Sequence, residues 1–336
     1  MNILLTGGTG YIASHTAVVL AQAGHEITLF DNLSNSQKTV LTCLEKILNQ
    51  KVSFIEGDVR DTRLVSETIA KNQIDAVIHF AGTKSVAESV SNPLLYYANN
   101  VQGTISLLEA MQANALKKIV FSSSATVYGE PQYLPYDEEH PLKPMNPYGQ
   151  TKLQVEQLLL DISRSDPGWS IACLRYFNPV GAHASGLIGE NPSGIPNNLM
   201  PYVSRVAIGQ LPELSIFGDD YDTKDGTGER DYIHVMDLAE GHMAAIDFLE
   251  KKSGWHAINL GTGQAHSVMD LVNGFEKASG KHIARKFVDR RPGDLPVYFA
   301  KAERAQTLMG WKARRTLDEM CESVWNFQTK CIERVI

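Results

Sequence analysis

The stretch TGGTGYIAS, residues 6–14, joins an apolar strand to a helical pattern. Its glycines allow a tight turn that brings the backbone close to a ligand, and the helix that follows begins with N–H groups that have no intrahelical partner. Pyrophosphate groups bind at such helix N termini. Asp31 ends the next apolar strand and lies 21 residues beyond Gly10, near the spacing of an acid that binds ribose. The chain is therefore predicted to contain a dinucleotide-binding unit.

Short apolar segments alternate with helical patterns through the first half of the chain. Several of these segments are apolar throughout, as expected for strands that are buried on both faces. The alternation predicts right-handed crossovers and an α/β fold with a doubly wound parallel sheet of the Rossmann type. The candidate strands are residues 2–6, 26–31, 52–58, 75–82, 118–124 and 170–177, and the candidate helices are residues 11–23, 62–72, 93–113 and 148–163.

The second half of the chain has a different pattern. Residues 179–230 are rich in glycine, proline and asparagine and contain few long periodic runs, which is typical of binding loops. Helical patterns return near 236–250, 267–279 and 316–330, and residues 257–261 are predicted to rejoin the main sheet. We expect an NAD-binding domain at 1–178, whose sheet also receives 231–263, and a smaller α/β substrate domain at 179–336, formed mainly by 179–230 and 264–336.

The composition is that of a globular protein, with 43% hydrophobic and 21% charged residues in 336. The net charge of −7 gives no reason to expect nucleic acid or an anionic membrane as a partner. The four cysteines show neither a Cys-x-x-Cys nor a zinc spacing, and no apolar run approaches the roughly 20 residues that span a bilayer. The apolar run at the N terminus is too short for a signal peptide. We expect reduced thiols, no metal and a cytoplasmic location.

The acid at the end of the second strand bears on the choice of dinucleotide. The Asp31 carboxylate can accept hydrogen bonds from both ribose hydroxyls and would repel a 2′-phosphate, so NAD is favoured over NADP. The alternative is an N-capping aspartate in a turn. Ala13 occupies the third glycine position, where its methyl group loosens the packing of helix on strand slightly. Asp58, which ends the third strand, fits either a contact near the adenine or a second helix cap.

Tyr148 and Lys152 lie four residues apart in NPYGQTK, near the start of a predicted helix. Pro147 suits the first turn of such a helix, and residues four apart share a helix face. The pair is interpreted either as a phenolate base beside a cation or as a packed ring and a solvated ammonium. The spacing alone leaves both interpretations open.

Several longer motifs resemble the extended short-chain dehydrogenase/reductase group: TGGTGYIASH, FSSSATVYG, PYGQTK, LRYFNPVGAH, IPNNLMP and RDYIHVMDLA. Within that group they look like the UDP-glucose 4-epimerase (UDP-galactose 4-epimerase) family, from residue 1 to about residue 326. The stretches IPNNLMP, GERDYIHVMDLA and RRPGDLPVY look like that family's nucleotide-sugar site. The resemblance implies tightly bound NAD, the substrates UDP-glucose and UDP-galactose, a role in galactose metabolism, and a homodimer formed through a helix pair of the sheet domain.

The resemblance also implies individual site residues. Tyr148, Lys152 and Ser124 match the family's catalytic residues. The matching cofactor contacts are Gly7, Gly10, Tyr11, Ile12, Asp31, Asn32, Asn35, Ser36, Asp58, Val59, Phe80, Ala81, Gly82, Lys84, Asn99, Ser124, Tyr148, Lys152 and Phe177. The matching substrate contacts are Ser124, Thr126, Tyr148, Asn178, Asn198, Leu199, Phe217, Arg230, Tyr232, Arg291, Asp294 and Tyr298. Among them, Arg230 and Arg291 are expected to neutralise the diphosphate, and Tyr298 is expected to limit the room around C2 of the sugar.

The implied reaction needs these residue types. The C4 hydroxyl of a hexose must lose its proton while C4 loses hydride. A tyrosine with a pKa of about 10 is only about one-thousandth ionised at pH 7. A cation about 4 Å away, at an effective dielectric of ~20, supplies about 4 kcal/mol, which lowers the pKa by roughly three units. The Lys152 ammonium and the charged nicotinamide ring are expected to supply that energy, and Ser124 is expected to orient the sugar hydroxyl.

Two other functions remain as alternatives. A nucleotide-sugar 4,6-dehydratase needs an Asp-Glu acid/base pair after a threonine near the end of the fifth strand. This chain has Ser124-Ala125-Thr126 there, with no carboxylate, which argues against that function. A non-catalytic NAD-sensing regulator would have no reason to keep Ser124, Tyr148 and Lys152 beside arginines that bind a diphosphate.

Single residues also have simpler interpretations. Each of the two arginines can form a surface ion pair with Glu229, Asp231 or Asp294, and Lys84 and Asn99 can be a solvated lysine and a turn amide. His79 is interpreted as a satisfied core histidine, and Tyr96 and Tyr97 as helix packing. The stretch PYDEEHP, residues 135–141, is predicted to be a solvated loop.

Overall fold

The computed structural model of the chain describes residues 1–192, 196, 198–291 and 293–333. Its strands are β1 (Asn2–Thr6), β2 (Glu26–Asp31), β3 (Ser53–Glu56), β4 (Ala76–His79), β5 (Lys118–Ser124), β6 (Ser170–Tyr176), β7 (Asn178–Val180), β8 (Leu214–Phe217), β9 (Glu229–Arg230), β10 (Tyr232–His234), β11 (Gly254–Leu260), β12 (His266–Ser267), β13 (Arg285–Val288) and β14 (Val297–Tyr298).

The α-helices are α1 (Tyr11–Gln22), α2 (Thr39–Leu48), α3 (Thr62–Lys71), α4 (Val86–Ser91), α5 (Pro93–Tyr96), α6 (Gly103–Ala113), α7 (Pro147–Ser165), α8 (Leu199–Ala207), α9 (Val235–Leu249), α10 (Val268–Ser279), α11 (Glu303–Met309) and α12 (Leu317–Glu333). A π-helical turn spans Tyr97–Gln102, and a 3₁₀ turn spans Ala125–Val127.

Seven parallel strands form the central sheet in the order β11-β6-β5-β4-β1-β2-β3. The order reverses between β1 and β4, which is the switch point where ligands of doubly wound sheets bind. The doubly wound parallel fold is therefore confirmed. The predicted return of 257–261 to the sheet is confirmed as well, because β11 pairs with β6 along its whole length.

Helices cover both faces of this sheet, and the side chains of β1 alternate between the two cores. Ile3 and Leu5 pack with α1, α2 and α9 in one core, whereas Leu4 packs with α3, α6 and α7 in the other. This alternation follows from the two-residue period of a strand. A third core joins α8, α10 and α12 outside the sheet. The smaller pairings are β7 with β10, β8 with β13, and β9 with both β12 and β14.

Four helices of the described residues, α2, α4, α8 and α11, lie where the sequence pattern predicted none. Helix α2 begins without a side-chain cap, and Lys38, at its N-cap position, is not a residue type that signals a helix start. Helix α8 contains Pro201 as its third residue, where the first turn tolerates the missing N–H. The predicted helix 93–113 is also not a single α-helix, because the π turn interrupts it between α5 and α6.

The prediction of a solvated loop at residues 135–141 is wrong. Tyr136 and His140 are almost fully buried, and the Glu138 side chain is only 4% exposed. The Tyr136 ring stacks on Tyr128 with centroids 4.9 Å apart, and the Glu138 carboxylate accepts a hydrogen bond from the Asn259 N–H at 2.8 Å. The segment therefore packs against the sheet, because distant residues supply the partners that its polar groups need.

The interpretation of His79 as a core histidine is confirmed. Its ring is buried, with Nδ1 2.7 Å from the Thr6 hydroxyl and Nε2 2.9 Å from the Thr104 hydroxyl. Burial lowers the pKa of His79 to about 3, so the ring is neutral. None of the helices in the described ranges is both long and apolar enough to cross a bilayer.

Candidate active site

A cavity of about 330 Å³ opens where β5 and β6 end. This is the carboxyl edge of the sheet, as expected for a doubly wound fold. The sequence-predicted site residues that line it are Ile12, Lys84, Ser124, Thr126, Tyr148, Phe177, Asn178, Asn198, Arg230, Asp294 and Tyr298. Residues predicted to contact the cofactor and residues predicted to contact the substrate therefore share one cavity.

Helix α7 positions the tyrosine and the lysine. The Asn146 side chain accepts a hydrogen bond from the Gly149 N–H at 2.9 Å and so caps the helix, with Pro147 as its first residue. Tyr148 lines the cavity one residue later. Ser124 ends β5, and its hydroxyl accepts hydrogen bonds from the N–H and the hydroxyl of Thr126. The end of a strand and the start of a helix thus bring these residues together.

Lys152 is not a solvated ammonium, so that interpretation of the pair is wrong. The residue is only 5% exposed, and its Nζ donates a hydrogen bond to the Ser122 carbonyl oxygen at 2.7 Å. The same nitrogen lies 4.9 Å from the centroid of the Phe121 ring and 5.9 Å from that of the Tyr148 ring. Burial lowers the pKa of Lys152 to about 8, and the negative charge of Glu156 opposes that change.

The protein's own groups do not lower the tyrosine pKa in the way that the sequence argument predicted. Burial raises the pKa of Tyr148, and the hydrogen bond with Ser124 lowers it, with burial the larger effect. The physical reason is that a buried phenolate loses its hydration. Ionisation of Tyr148 therefore needs positive charge beyond what the fold provides at its side chain.

Asn100, in the π turn, was not predicted to belong to the site. It is buried, and its amide donates hydrogen bonds to the Thr151 hydroxyl at 3.0 Å and the Thr83 carbonyl at 3.1 Å. Thr151 in turn donates to the Tyr148 carbonyl at 2.7 Å. The amide thus ties the first turn of α7 to the loop after β4. The signal was the Asn-Asn pair inside a predicted helix, where asparagine is a poor helix former.

The glycine loop has the shape of a cradle for a phosphate group. Gly7 has a φ of +66°, and a Cβ there would lie 2.8 Å from the Ala81 nitrogen, so a side chain does not fit. No side chain caps the start of α1, and its first turn contains no acid. The positive end of the helix dipole and the backbone N–H groups therefore face the loop.

Asp31 lies beside this loop as expected. Its Oδ2 accepts a hydrogen bond from the Thr9 N–H at 3.1 Å, and its Oδ1 accepts from the Leu33 N–H at 2.8 Å and the Ser36 hydroxyl at 3.2 Å. The bond to Leu33 belongs to a turn, but Asp31 caps no helix, since α2 begins only at Thr39. Ala13 is buried at 1% exposure, so its methyl group is accommodated in the packing of α1 on the sheet.

Asp58 does not cap a helix, because Asp61 caps α3. The Asp58 carboxylate instead accepts two hydrogen bonds from the Arg60 guanidinium, at 2.9 and 2.7 Å, and one from the Asn32 amide at 3.1 Å. These bonds hold the pKa of Asp58 well below its usual range. The helix-cap alternative is therefore wrong, and a ligand contact at Asp58 stays a prediction.

The other residues predicted to bind the cofactor lie mainly in the loops that follow β1 to β4 and at the starts of α1 and α6. The Tyr11 hydroxyl donates to the Gly181 carbonyl at 2.6 Å, and the Asn99 amide donates to the Leu95 carbonyl at 3.0 Å. The remaining members of this group are Gly10, Asn35, Val59, Phe80, Ala81 and Gly82.

The two arginines predicted to bind the diphosphate share one carboxylate. Arg230 donates to Asp294 Oδ1 at 2.5 Å, and Arg291 donates to Asp294 Oδ2 at 3.0 Å. Both arginines therefore form the ion pair that the simpler interpretation predicted. Among the described residues, Arg230 and Asp294 line the cavity, and Arg291 reaches it only through Asp294. The Arg291 guanidinium also lies over the Phe217 ring, 4.7 Å from its centroid.

Two predicted substrate residues lie in the packing of the third core. Tyr232 is only 4% exposed, and burial raises its pKa to about 12. Leu199 packs against the same core as the first residue of α8. The structure therefore does not bring these side chains to the cavity wall formed by Arg230 and Asp294.

Tyr298 both lines the cavity and packs in an aromatic cluster. Its ring centroid lies 5.1 Å from that of Tyr136 and 5.0 Å from that of Phe177. These rings fix the plane of Tyr298, so it forms a rigid part of the wall. Tyr96 is fully buried beside Tyr148, with ring centroids 6.4 Å apart, as the packing interpretation predicted.

Known proteins are similar to this chain in sequence and in fold over almost its whole length. A protein-family model described as GDP-mannose 4,6 dehydratase matches residues 4–324. A UDP-glucose 4-epimerase from Bacillus subtilis (strain 168) is 55% identical over 329 residues, which cover 98% of this chain and 97% of that protein. A crystal structure of UDP-glucose 4-epimerase from Stenotrophomonas maltophila, with bound NAD and formylated UDP-arabinopyranose, has a TM-score of 0.97, 48% identity and 100% coverage of both chains.

A second crystal structure, of UDP-glucose 4-epimerase from Bifidobacterium longum in complex with NAD⁺ and UDP, has a TM-score of 0.95 at 51% identity and covers 98% of each chain. Similarity of this extent over the whole fold, including the strand and helix that carry Ser124, Tyr148 and Lys152, means that the chain belongs to the UDP-glucose 4-epimerase family.

Proposed function

We propose that this protein interconverts UDP-glucose and UDP-galactose in galactose metabolism, by transient oxidation at C4 of the hexose with tightly bound NAD. The observation that carries the proposal is a cavity lined by Ser124, Tyr148 and Arg230. The buried Lys152 lies beside it, with Nζ 5.9 Å from the centroid of the Tyr148 ring. Residues 1–178, completed by 231–263, form the NAD-binding domain in this proposal. Residues 179–336 form the substrate domain, mainly through 179–230 and 264–336.

The residues around the glycine loop fit a dinucleotide. The turn at Gly7 has no room for a side chain, and the uncapped start of α1 can receive a pyrophosphate. Asp31 can accept hydrogen bonds from ribose hydroxyls, because a carboxylate has about four lone-pair sites. NAD bound there supplies a reversible acceptor for the hydride of C4.

The proton of the C4 hydroxyl goes to the Tyr148 oxygen. Ser124 lies at the same cavity and orients that hydroxyl by hydrogen bonding. Lys152 supplies part of the positive charge that stabilises the phenolate, since a pKa of about 8 keeps most of this lysine protonated at pH 7. The charged nicotinamide ring of bound NAD⁺ would supply the rest. The same tyrosine returns its proton to the C4 oxygen after the sugar has presented its other face.

The arginines hold the part of the substrate that does not react. Arg230 and Arg291 have guanidinium groups within hydrogen-bond distance of one carboxylate, so they are spaced to grip a diphosphate together. Phe217 offers an exposed ring for the uracil. Anchoring UDP in this way leaves the sugar free to rotate about its bond to phosphate.

The test is incubation of the purified protein with UDP-galactose, without added NAD, and separation of the products. We expect UDP-glucose to form, and we expect denatured protein to release nicotinamide nucleotide as NAD⁺ or NADH. The expectation rests on a reaction without net redox change, for which a retained cofactor suffices. Release of NADP, or of one NADH at each turnover, is the result that contradicts the proposal.

A 4,6-dehydratase activity is disfavoured by the residues after β5. The 3₁₀ turn there is Ala125–Val127, and within the described part of the cavity wall the only carboxylate is Asp294. Asp294 already pairs with two arginines, so it is not available as a general acid or base. Elimination of water across C5–C6 needs such a group close to the sugar.

Tyr298 is expected to exclude N-acetylated sugars. The ring is held rigidly by Tyr136 and Phe177, and close-packed walls tolerate few additional atoms. We expect a strong preference for UDP-glucose and UDP-galactose in kcat/KM. Tyr298→Cys should gain activity on UDP-N-acetylglucosamine and UDP-N-acetylgalactosamine, with a modest loss on the plain pair.

Tyr298→Phe is the matched control, because it keeps the ring and should keep the exclusion. The measurement is kcat/KM for both substrate pairs in the three proteins. Tyr298 does not exclude the N-acetylated sugars if the unmodified protein already accepts them about as well as the plain pair. The same conclusion follows if Tyr298→Cys does not fold.

We also propose a homodimer formed through helices of the sheet region, in the cytoplasm. The support is a set of exposed apolar side chains on α4, α5 and α6: Val90 at 64%, Leu94 at 80% and Ile105 at 40% exposure. Burying such a patch against a second copy removes apolar area from water. Sedimentation equilibrium should give twice the 37.1 kDa mass of the chain, and a monomer at micromolar concentration contradicts the dimer.

A further inference from the structure

Glu190 lies in the loop before α8 and joins two residues of the cavity wall. Its Oε1 atom accepts hydrogen bonds from Lys84 Nζ at 3.1 Å and from Asn198 Nδ2 at 2.6 Å. The Glu190 side chain is only 12% exposed. One carboxylate oxygen therefore connects a lysine of the loop after β4 with an asparagine at the start of α8.

The Asn198 side chain bonds to Glu190 and not to the first turn of its own helix. Asparagine is a favoured N-cap residue, because its side-chain oxygen can accept from N–H groups of the first helical turn. Asn198 occupies the N-cap position of α8 but makes no side-chain cap, and its amide donates to Glu190 instead. The position of the Asn198 side chain is thus set by Glu190.

The charge of Glu190 also reaches the start of α1. Tyr11 is the first residue of that helix, and its hydroxyl donates to the Gly181 carbonyl at 2.6 Å. Burial raises the pKa of Tyr11 well above its usual value, and the negative charge of Glu190 raises it further. Glu190 therefore lies close to three structures that meet at the cavity: the start of α1, the loop after β4 and the start of α8.

We propose that Glu190 is a positioning residue that couples the binding of the cofactor to the binding of the UDP-sugar. The proposal rests on the proposed function, in which Lys84 contacts NAD and Asn198 contacts the UDP-sugar. A ligand that fixes Lys84 also fixes the Glu190 oxygen, which then holds Asn198 ready for the other ligand. A ligand that fixes Asn198 likewise holds Lys84 ready through Glu190, because coupling between two binding sites is reciprocal.

The experiment measures the loss of NAD from the purified protein during gel filtration, with and without UDP. In the unmodified protein we expect UDP to slow that loss by about 5- to 150-fold, the usual range for coupled sites. In Glu190→Gln, which keeps the shape of the side chain but removes its charge, we expect the effect of UDP to fall to less than about twofold.

Glu67→Gln is the matched control, because Glu67 pairs with Arg63 at 2.8 Å on the exposed face of α3 and its side chain is 60% exposed. It should keep the full effect of UDP. Lys84→Met should abolish the same coupling, and Lys84→Met with Glu190→Gln should lose no more than either change alone, since both break one link.

Three outcomes overturn the proposal, and a fourth contradicts the proposed function instead. If Glu190→Gln retains the effect of UDP, or if the losses in the double variant add, the coupling role is overturned. If Glu190→Gln does not fold, Asn198→Ala replaces it, measured at a UDP concentration that saturates this variant because the change also removes a contact with the UDP-sugar. A retained UDP effect there overturns the proposal as well. An unmodified protein that holds neither NAD nor UDP instead contradicts the proposed function.

Discussion

Tyr148→Phe is expected to lower kcat/KM for UDP-galactose by about 10⁴-fold or more, the upper end for loss of a general base. The change deletes the oxygen that takes the C4 proton but keeps the ring that packs against Tyr96. The fold and the affinity for UDP should therefore be unchanged. The measurements are the epimerisation rate and the affinity for UDP by calorimetry.

Tyr133→Phe serves as its control, because Tyr133 is 45% exposed and its hydroxyl only donates to Asp137 at 2.8 Å. That variant should retain full activity. Activity of Tyr148→Phe within about tenfold of the unmodified protein would show that Tyr148 is a packing residue and not the base.

Glu156→Gln is expected to lower the free energy of unfolding by about 3–5 kcal/mol, the usual cost of breaking a buried ion pair from one side. Glu156 and Arg175 are each only 2% exposed, and they are joined by hydrogen bonds of 2.6 and 3.0 Å. Glu156 also accepts from the Ser123 hydroxyl at 2.5 Å. Without the carboxylate, the Arg175 guanidinium remains buried with its charge uncompensated.

Urea unfolding gives the measurement, with two further variants for comparison. The double variant Glu156→Leu with Arg175→Met should recover most of the loss, since apolar side chains of similar volume replace a buried pair at little cost. Asp318→Asn, which breaks an exposed pair with Lys277, should cost at most about 1 kcal/mol. Equal losses for Glu156→Gln and Asp318→Asn contradict the argument.

The same change is expected to alter the pH dependence of turnover. Glu156 lies one helical turn after Lys152 on α7, and its negative charge raises the pKa of that lysine against the effect of burial. Removing the charge should lower the pKa of Lys152 below about 8. Because the protonated lysine is the form that stabilises the phenolate, activity should decline at a lower pH in Glu156→Gln than in the unmodified protein.

The sequence predicted those parts of the fold whose signals are local. The glycine loop, the apolar strands and the helix start at Pro147 are each formed by neighbouring residues, and all lie where they were expected. The burial of Lys152 and its contact with the Ser122 carbonyl were not predictable, because spacing along a helix does not reveal what lies above its face.

Features that depend on distant partners were missed for the same reason. The segment 135–141 was predicted to be solvated because it is rich in charge. Its Glu138 carboxylate instead accepts a hydrogen bond from the N–H of Asn259, which lies 121 residues away in the sequence. Glu190 lies in a stretch with the composition of a loop, and its partner Lys84 is 106 residues distant. Pairings of this kind arise only when the sheet brings its loops together.

The position of β11 and α9 has a consequence for synthesis on the ribosome. Leu5 and Leu20 share one core with Leu238 of α9 and Leu260 of β11, so that core stays open until about 260 residues have been made. A nascent chain ending near residue 178 already carries the glycine loop, Tyr148 and Lys152, yet the part of its sheet that α9 and β11 cover is exposed. We therefore expect released fragments of that length to aggregate or to recruit chaperones, and the chain to acquire a closed core only late in translation.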